Sequence, residues 1–439
     1  MIHALESLTL TGGPLHVLLL VGAFAGLVQL LTVRRGRRWW AVGVPVAAVI
    51  AIAGAVAFRT WVVTAKPWPD GLPLQVVVWI AVGLLGPTLL VAGWGGRRWR
   101  VRMLSSGAAL LALLGAADAV DTVYGAYPTV ATALQLPPPD TTSAASVLDR
   151  MPHAASPSTP SGEPLWASWT PPADMPTHGA VTEVHIPPTH SGFSARPAWV
   201  YLPPAYLTAR RPLLPVLMMV SGEPGSPRDW LDGGLLAQQM DRWAAAHHGL
   251  APIVVMPDSL GGLTDNPLCM DSRLGRVDTY LARDVPDWIL SSLRVDPVTA
   301  HWAVGGLSAG GTCALQLAVA HPRLFPTFLD ESGQREPTLG GHARTVAAAF
   351  GGDEAAFDAV DPLHELARHR YPDSAGTVVV DAQDGDYRPQ AREVADAARA
   401  AGMSIRYLAL PGTHNWPFWR GAFGRELPWL AVRMGLVAP

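Results

Sequence analysis

Four stretches in the first 125 residues are almost free of charged side chains: about Pro14 to Val33, Trp40 to Phe58, Leu74 to Trp94 and Met103 to Tyr124. Each approaches the ~20 residues that a helix needs to cross a hydrocarbon core of ~30 Å. The pattern therefore predicts four transmembrane helices. Asp118 and Asp121 fall in the last turns of the fourth, and a carboxylate at mid-bilayer costs several kcal/mol, so both are expected at the exit interface. A cleaved signal peptide is the alternative for the first stretch, but three further spans follow it and no cleavage site stands out.

After residue 136 the pattern changes twice. Residues 137–178 are rich in Pro, Ser, Thr and Ala, as in PPPDTTS and SPSTPSGEP, a composition that buries too little apolar surface to offset the entropy of ordering. A semi-extended linker is expected, with Trp166 and Trp169 available to dock part of it. From residue 179 to 439 short β-rich runs alternate with helical ones, the signature of a mostly parallel sheet flanked by helices. Strands are expected at Val181 to Ile186, Trp199 to Leu202, Val216 to Val220, Ile253 to Met256, Trp302 to Val304, Thr327 to Leu329, Thr377 to Val380 and Ile405 to Ala409. Helices are expected at Ala237 to His247, Thr279 to Ser292, Gly311 to Ala320 and Gln390 to Ala401.

Composition supports this division. Of 439 residues 49% are hydrophobic and only 15% charged, more apolar than a soluble protein of this size. A net charge of -3 gives no basic field to collect phosphates, which argues against a nucleic-acid partner. Arg34, Arg35, Arg37 and Arg38 separate the first two spans, and Arg97, Arg98, Arg100 and Arg102 the last two. The middle loop holds only Arg59 and Lys66. The positive-inside bias puts both arginine-rich loops in the cytoplasm, so both termini and residues 179–439 lie outside. Trp39, Trp40, Trp61, Trp68, Trp94 and Trp99 stand near the span ends, where indoles favour the interface. The helices read as an anchor, with a transport or lipid-binding unit as the alternative.

The chemistry concentrates in AVGGLSAGGTCALQLAVAHP, where Gly306, Ser308 and Gly310 form G-x-S-x-G between a strand and an apolar helix. Such a serine sits on a sharp strand-to-helix turn with the helix N-terminus facing a developing oxyanion. A hydroxyl needs a general base, and the base a carboxylate to orient it. For this fold the chain order is Ser, acid, His, which selects His414 in LALPGTHNWPFW. His321, His342, His364 and His369 read as bystanders. The acid comes from TVVVDAQDGDYRPQ. Asp384, three residues past the strand, is preferred, Asp386 is the alternative, and Asp381 is close enough to the strand end to cap the turn. The oxyanion is expected to take the backbone N–H groups of Ala309 and, from MMVSGEPGSPRDW, of Glu223, since Pro224 has none. The Glu223 side chain is expected to face solvent, with a cationic substrate group as its alternative contact. No metal or organic cofactor is required.

These residues resemble the esterase D and mycolyltransferase-like branch of the α/β hydrolases, found in actinobacterial envelopes. The resemblance spans about residues 180 to 435, through SGEPGSPRDW, DSRLGRVDTYLARDVPDWI, GGLSAGGTCAL and PGTHNWPFW with LPWL beyond. Four helices followed by such a domain also look like actinobacterial membrane esterases, including ones thought to remove aminoacyl groups from phospholipids. The resemblance implies the catalytic roles of Ser308 and His414 and, less specifically, Asp384. It departs at Ser221, where the family often carries His or Asp before the oxyanion glycine, and disaccharide-contacting residues find no match, so transfer is not implied.

An extracytoplasmic location allows a disulfide between Cys269 and Cys313, bracing a loop against the expected nucleophile helix; two free buried thiols are the alternative. The function expected is a membrane-anchored, extracytoplasmic serine esterase acting on an acyl lipid or aminoacyl-phospholipid such as aminoacyl-phosphatidylglycerol. Its partners are then the membrane lipid and that substrate. An acyltransferase passing the acyl group to a sugar or lipid hydroxyl is the first alternative. A catalytically inactive envelope scaffold or sensor is the second, against which the intact Ser, Asp, His order argues.

Overall fold

The computed structural model describes residues 8–32, 36–67, 71–96, 98–144 and 163–438. The chain divides into two compact units, Met1–Leu136 and Pro137–Pro439. In the first, α1 (Gly13–Thr32), α2 (Val44–Ala65, entered through a π turn at Trp39–Gly43), α3 (Leu74–Ala92) and α4 (Trp99–Tyr124) are long and apolar enough to cross a membrane. Their outer faces suit hydrocarbon: Leu18, Phe24, Val49, Leu74, Val91 and Leu104 are each at least 65% exposed.

Between the helices small residues let backbones approach. A Cβ added at Gly26 would lie 2.6 Å from the Ala108 carbonyl oxygen, and one at Gly115 would lie 2.5 Å from Ala23 Cβ. The Asp118 carboxylate turns into the bundle, where Oδ2 lies 2.7 Å from His16 Nδ1. Asp121 Oδ1 accepts the Tyr127 N–H at 3.0 Å. Two expected span limits are corrected. α2 continues past Phe58 to Ala65, so Arg59 is on the helix, and α4 starts at Trp99, carrying Arg100 and Arg102 in its first turn. Long guanidinium stems reach back from a helix end, as where Arg102 lies 5.2 Å from the Trp94 ring centroid. Arg34, Arg35, Arg97 and Trp68 lie outside the described residues.

The second unit is built on eight strands: β1 (Ala180–Val184), β2 (Ala198–Leu202), β3 (Val216–Val220), β4 (Ile253–Met256), β7 (Ala303–Leu307), β8 (Thr327–Glu331), β9 (Ala375–Asp381) and β10 (Ser404–Leu410), with a two-residue ribbon, β5 (Asp271–Ser272) and β6 (Gly275–Arg276), apart from them. The sheet order is β1-β2-β4-β3-β7-β8-β9-β10. β2 is antiparallel to both neighbours, and β4, β3, β7, β8, β9 and β10 pair in parallel in that order. VLMMV, AVGGL, TFLDE and AGTVVVD are buried along their whole length, as strands covered on both faces must be.

Covering helices include α5 (Leu236–Ala246), α6 (Val285–Ser292), α7 (Ala309–Ala320), α8 (Tyr387–Ala400) and α9 (Trp416–Arg433). The helix expected over 279–292 is interrupted by a π turn at Tyr280–Asp284. Pro286 has no N–H to give the preceding turn, and the backbone widens there. Part of the expected linker is docked rather than extended: Trp169 Nε1 donates to the His248 carbonyl at 2.9 Å, and the Trp166 ring packs on His248 with centroids 4.2 Å apart. Packing the exposed Trp166 and half-buried Trp169 against this surface supplies contact that the surrounding Pro and Ser would not. Residues 145–162 of the linker lie outside the described residues.

Cys269 and Cys313 form the expected disulfide, closing a separation of 44 residues. A loop of that size corresponds to about 4 kcal/mol of unfolded-state entropy. The double variant Cys269→Ala/Cys313→Ala is expected to lose about 3–4 kcal/mol of stability in denaturant titration. A loss under about 1 kcal/mol would assign the bond no role in holding the fold.

Candidate active site

The C-terminal ends of the parallel strands carry every expected site residue. Ser308 follows β7 with φ 51° and ψ -123°, a conformation that strains any residue with a Cβ. It is held by the neighbouring strand, since the Ser308 N–H donates to the Glu331 carbonyl at 2.8 Å. The turn leaves no room for side chains: a Cβ at Gly306 would lie 2.2 Å from the Gly310 carbonyl oxygen, and one at Gly310 would lie 2.3 Å from that of Val220. This crowding explains G-x-S-x-G in physical terms. α7 begins at Ala309 rather than the expected Gly311, so the Ala309 N–H is at the first helical position, where it has no acceptor within its own helix.

The loop after β3 lies against this turn. A Cβ at Gly222 would stand 3.2 Å from both the Leu307 carbonyl oxygen and Ser308 Cβ, which brings the Gly222–Glu223 backbone beside the serine. The loop is knit internally, with Ser221 Oγ donating to the Ser226 carbonyl and Ser226 bonded to both oxygens of Asp229. That knitting draws Glu223 inward. Its side chain is only 8% exposed and accepts a hydrogen bond from Asn266 Nδ2, which corrects the solvent-facing expectation.

His414 leaves β10 between two aromatic rings. Tyr387 stacks on it with centroids 4.3 Å apart, and Trp419 meets it edge-on at 4.8 Å. Both neighbours were missed by the sequence reading, although DGDYRPQ and HNWPFW contain them. Asp384 Oδ1 accepts the backbone N–H groups of Asp386 and Tyr387 at 2.9 and 2.8 Å, so the carboxylate and the histidine touch the same tyrosine. The Asp386 side chain is exposed. Asp381 Oδ1 accepts the Gln383 N–H at 3.0 Å and caps the turn. The serine side connects to the same group: Thr312 Oγ1 donates to Gln334 Oε1 at 2.6 Å, and Gln334 Nε2 donates to the Tyr387 hydroxyl at 3.2 Å. Thr312 is one turn into α7, with its N–H on the Ser308 carbonyl. The four bystander histidines pair with carboxylates: His321 with Asp278, His342 with Glu336 and Glu354, His364 with Asp361, and His369 with Glu365.

Two buried carboxyls at the end of β8 have no counterpart in the sequence reading. Asp330 Oδ1 accepts the Gly333 N–H at 2.7 Å and would lie 2.4 Å from a Cβ on Gly311. Glu331 faces Glu426, which pairs with Arg406 at 3.1 Å. Burial pushes Asp330 from 3.8 to about 7. Burial, then the nearby Asp330 and Glu426, hold Glu331 well above the ordinary range. A carboxyl raised in the folded state binds its proton more tightly there than in the unfolded chain. Its stabilisation is full below about pH 4 and is lost as pH rises through about 7. Asp330→Asn keeps an acceptor for Gly333 and removes this dependence, so the variant should gain stability over wild type at pH 8 and match it near pH 4. An equal difference at both pH values would discount the buried proton.

Residues 194–430 match the family model described as "Putative esterase". An uncharacterized protein of Corynebacterium glutamicum is 34% identical over 435 residues, covering 96% of each chain. The diacylglycerol acyltransferase/mycolyltransferase Ag85A of Mycobacterium tuberculosis is 26% identical over 188 residues, covering 36% of this chain and 55% of that protein. An S-formylglutathione hydrolase from Agrobacterium tumefaciens superposes with a TM-score of 0.49 and 18% identity, over 60% of this chain and 98% of the other. The family match covers more than half of the chain, and the C. glutamicum relative is similar along almost all of it. The chain belongs to the esterase family, as a carboxylic ester hydrolase.

Proposed function

We propose that the chain is a membrane-anchored serine esterase whose catalytic unit faces the outside of the cell and cleaves an ester of an envelope lipid, either an acyl lipid or an aminoacyl-phospholipid. Ser308 attacks the ester carbonyl while His414 takes its proton and returns it to the departing alcohol. Asp384 holds the histidine tautomer, and the N–H groups of Ala309 and Glu223 receive the oxyanion. Water, activated by the same histidine, then releases the acid. The observation carrying this reading is the strained Ser308 at the start of α7, in a chain whose first unit has four helices fit to cross a membrane. Tethering an active site at a bilayer raises the effective concentration of lipid without added affinity, which favours a lipid over a soluble ester.

The test incubates purified protein and its Ser308→Ala variant with the lipid extract of the source organism. A lipid lost only with the active enzyme names the substrate, and identical lipid profiles would overturn the reading. Topology is read separately, by a reporter that is active only outside the cell fused after Leu136; an inactive fusion would reverse the orientation. The likeness to Ag85A supports a second reading in which a sugar or lipid hydroxyl replaces water. A labelled acceptor distinguishes them, because transfer yields a new ester and hydrolysis only free acid.

A further inference from the structure

One face of α7 does more than hold Ser308. Ala309, Thr312, Cys313 and Gln316 follow i, i+3, i+4, i+7 spacing and together form one wall of a small, partly open cavity. Leu260, Leu268 and Pro337 line it as well. Two features distinguish it from a channel for a long hydrocarbon chain. It is small and partly open to solvent. Its wall on α7 is half polar, and one polar group there is unspent: Gln316 is 6% exposed, and its Oε1 has no hydrogen-bond partner among the described residues. The amide orientation is set by chemistry, because Nε2 donates to the Leu268 carbonyl at 3.1 Å, leaving the oxygen as the free acceptor. A buried acceptor without a donor is destabilising, and a substrate donor would relieve it.

We propose that this cavity receives the acyl half of the ester, that it selects a short acyl group carrying a hydrogen-bond donor near the carbonyl, and that Gln316 is the residue that selects it. This rests on Ser308 being the nucleophile, since Ala309 joins the two sites. The donor is an ammonium or a hydroxyl. The buried Glu223 carboxyl accepts a hydrogen bond from the cavity residue Asn266, an acidic neighbour that favours the ammonium. The lipid, on this view, is the alcohol that leaves.

The experiment measures kcat/KM of the full-length protein in detergent for matched glyceryl esters of octanoic acid, propionic acid, lactic acid and alanine. A donor-bearing ester should exceed the propionyl ester by about 10- to 100-fold, the range for one hydrogen bond, charged or neutral, made in a buried site, and octanoyl should be poorest. Alanyl above lactyl assigns the ammonium, and lactyl above alanyl the hydroxyl. Gln316→Leu should bring the donor-to-propionyl ratio to within about threefold of unity. Gln316→Met, which keeps the length and loses the acceptor, replaces it should the leucine variant melt early. Propionyl or octanoyl matching the donor esters in wild type overturns the inference, as does a ratio unmoved by the substitution. Failure of every ester, with wild type no faster than Ser308→Ala, strikes the nucleophile reading instead.

Discussion

Ser308→Ala should lower kcat for ester hydrolysis about a million-fold, and His414→Ala, alone or combined with it, should cost about the same. The residues act as one unit, so the losses do not add. Residual rate over water would come from the two oxyanion donors and from binding. Ser308→Gly separates chemistry from architecture. Glycine tolerates φ 51° and ψ -123° without the strain of a Cβ, typically ~1–3 kcal/mol. The glycine variant should therefore be as inactive as the alanine one yet more resistant to denaturant. An inactive Ser308→Gly that is also destabilised would point to a structural serine, and retained turnover in either variant would remove Ser308 from the mechanism.

The second large effect concerns the acid. Asp384→Asn should reduce kcat about ten-thousand-fold, the cost of offering the imidazole a group that favours the wrong tautomer. Asp386→Asn should stay within about tenfold, since that side chain points to solvent and exposed charges act weakly through water. Asp384 has one oxygen committed to the N–H groups of Asp386 and Tyr387, which fixes the carboxylate against the residue stacked on His414. An asparagine there keeps an acceptor for the same backbone, so the comparison reads charge rather than loop collapse. The reverse ranking of the two variants would transfer the role to Asp386.

Much of this organisation was legible in the chain. Apolar runs of membrane-spanning length report helices directly, because a backbone in hydrocarbon has few other ways to satisfy its N–H and C=O groups. Buried parallel strands appear as unbroken apolar runs, and Val216–Val220 and Ile253–Met256 lie where the pattern puts them. Gly306 and Gly310 are equally legible, since only glycine fits where another backbone comes within contact distance.

What tertiary structure decided is of a different kind. Asp330 and Glu331 end a strand that would otherwise read as apolar, and nothing local shows that both are buried. Glu223 looks like an exposed loop acid until Asn266, 43 positions away, is brought to it. Tyr387 and Trp419 flank His414, and Gln316 faces a cavity lined by residues from 259 to 338. Periodicity is a property of neighbours along the chain, so it reports elements and their faces. Which faces meet, and whether a polar atom on one finds a partner on another, depends on contacts between distant segments. The sequence alone therefore determined most helices and strands and the serine turn, while the surroundings of Asp384, His414 and Gln316 came only from the packing between them.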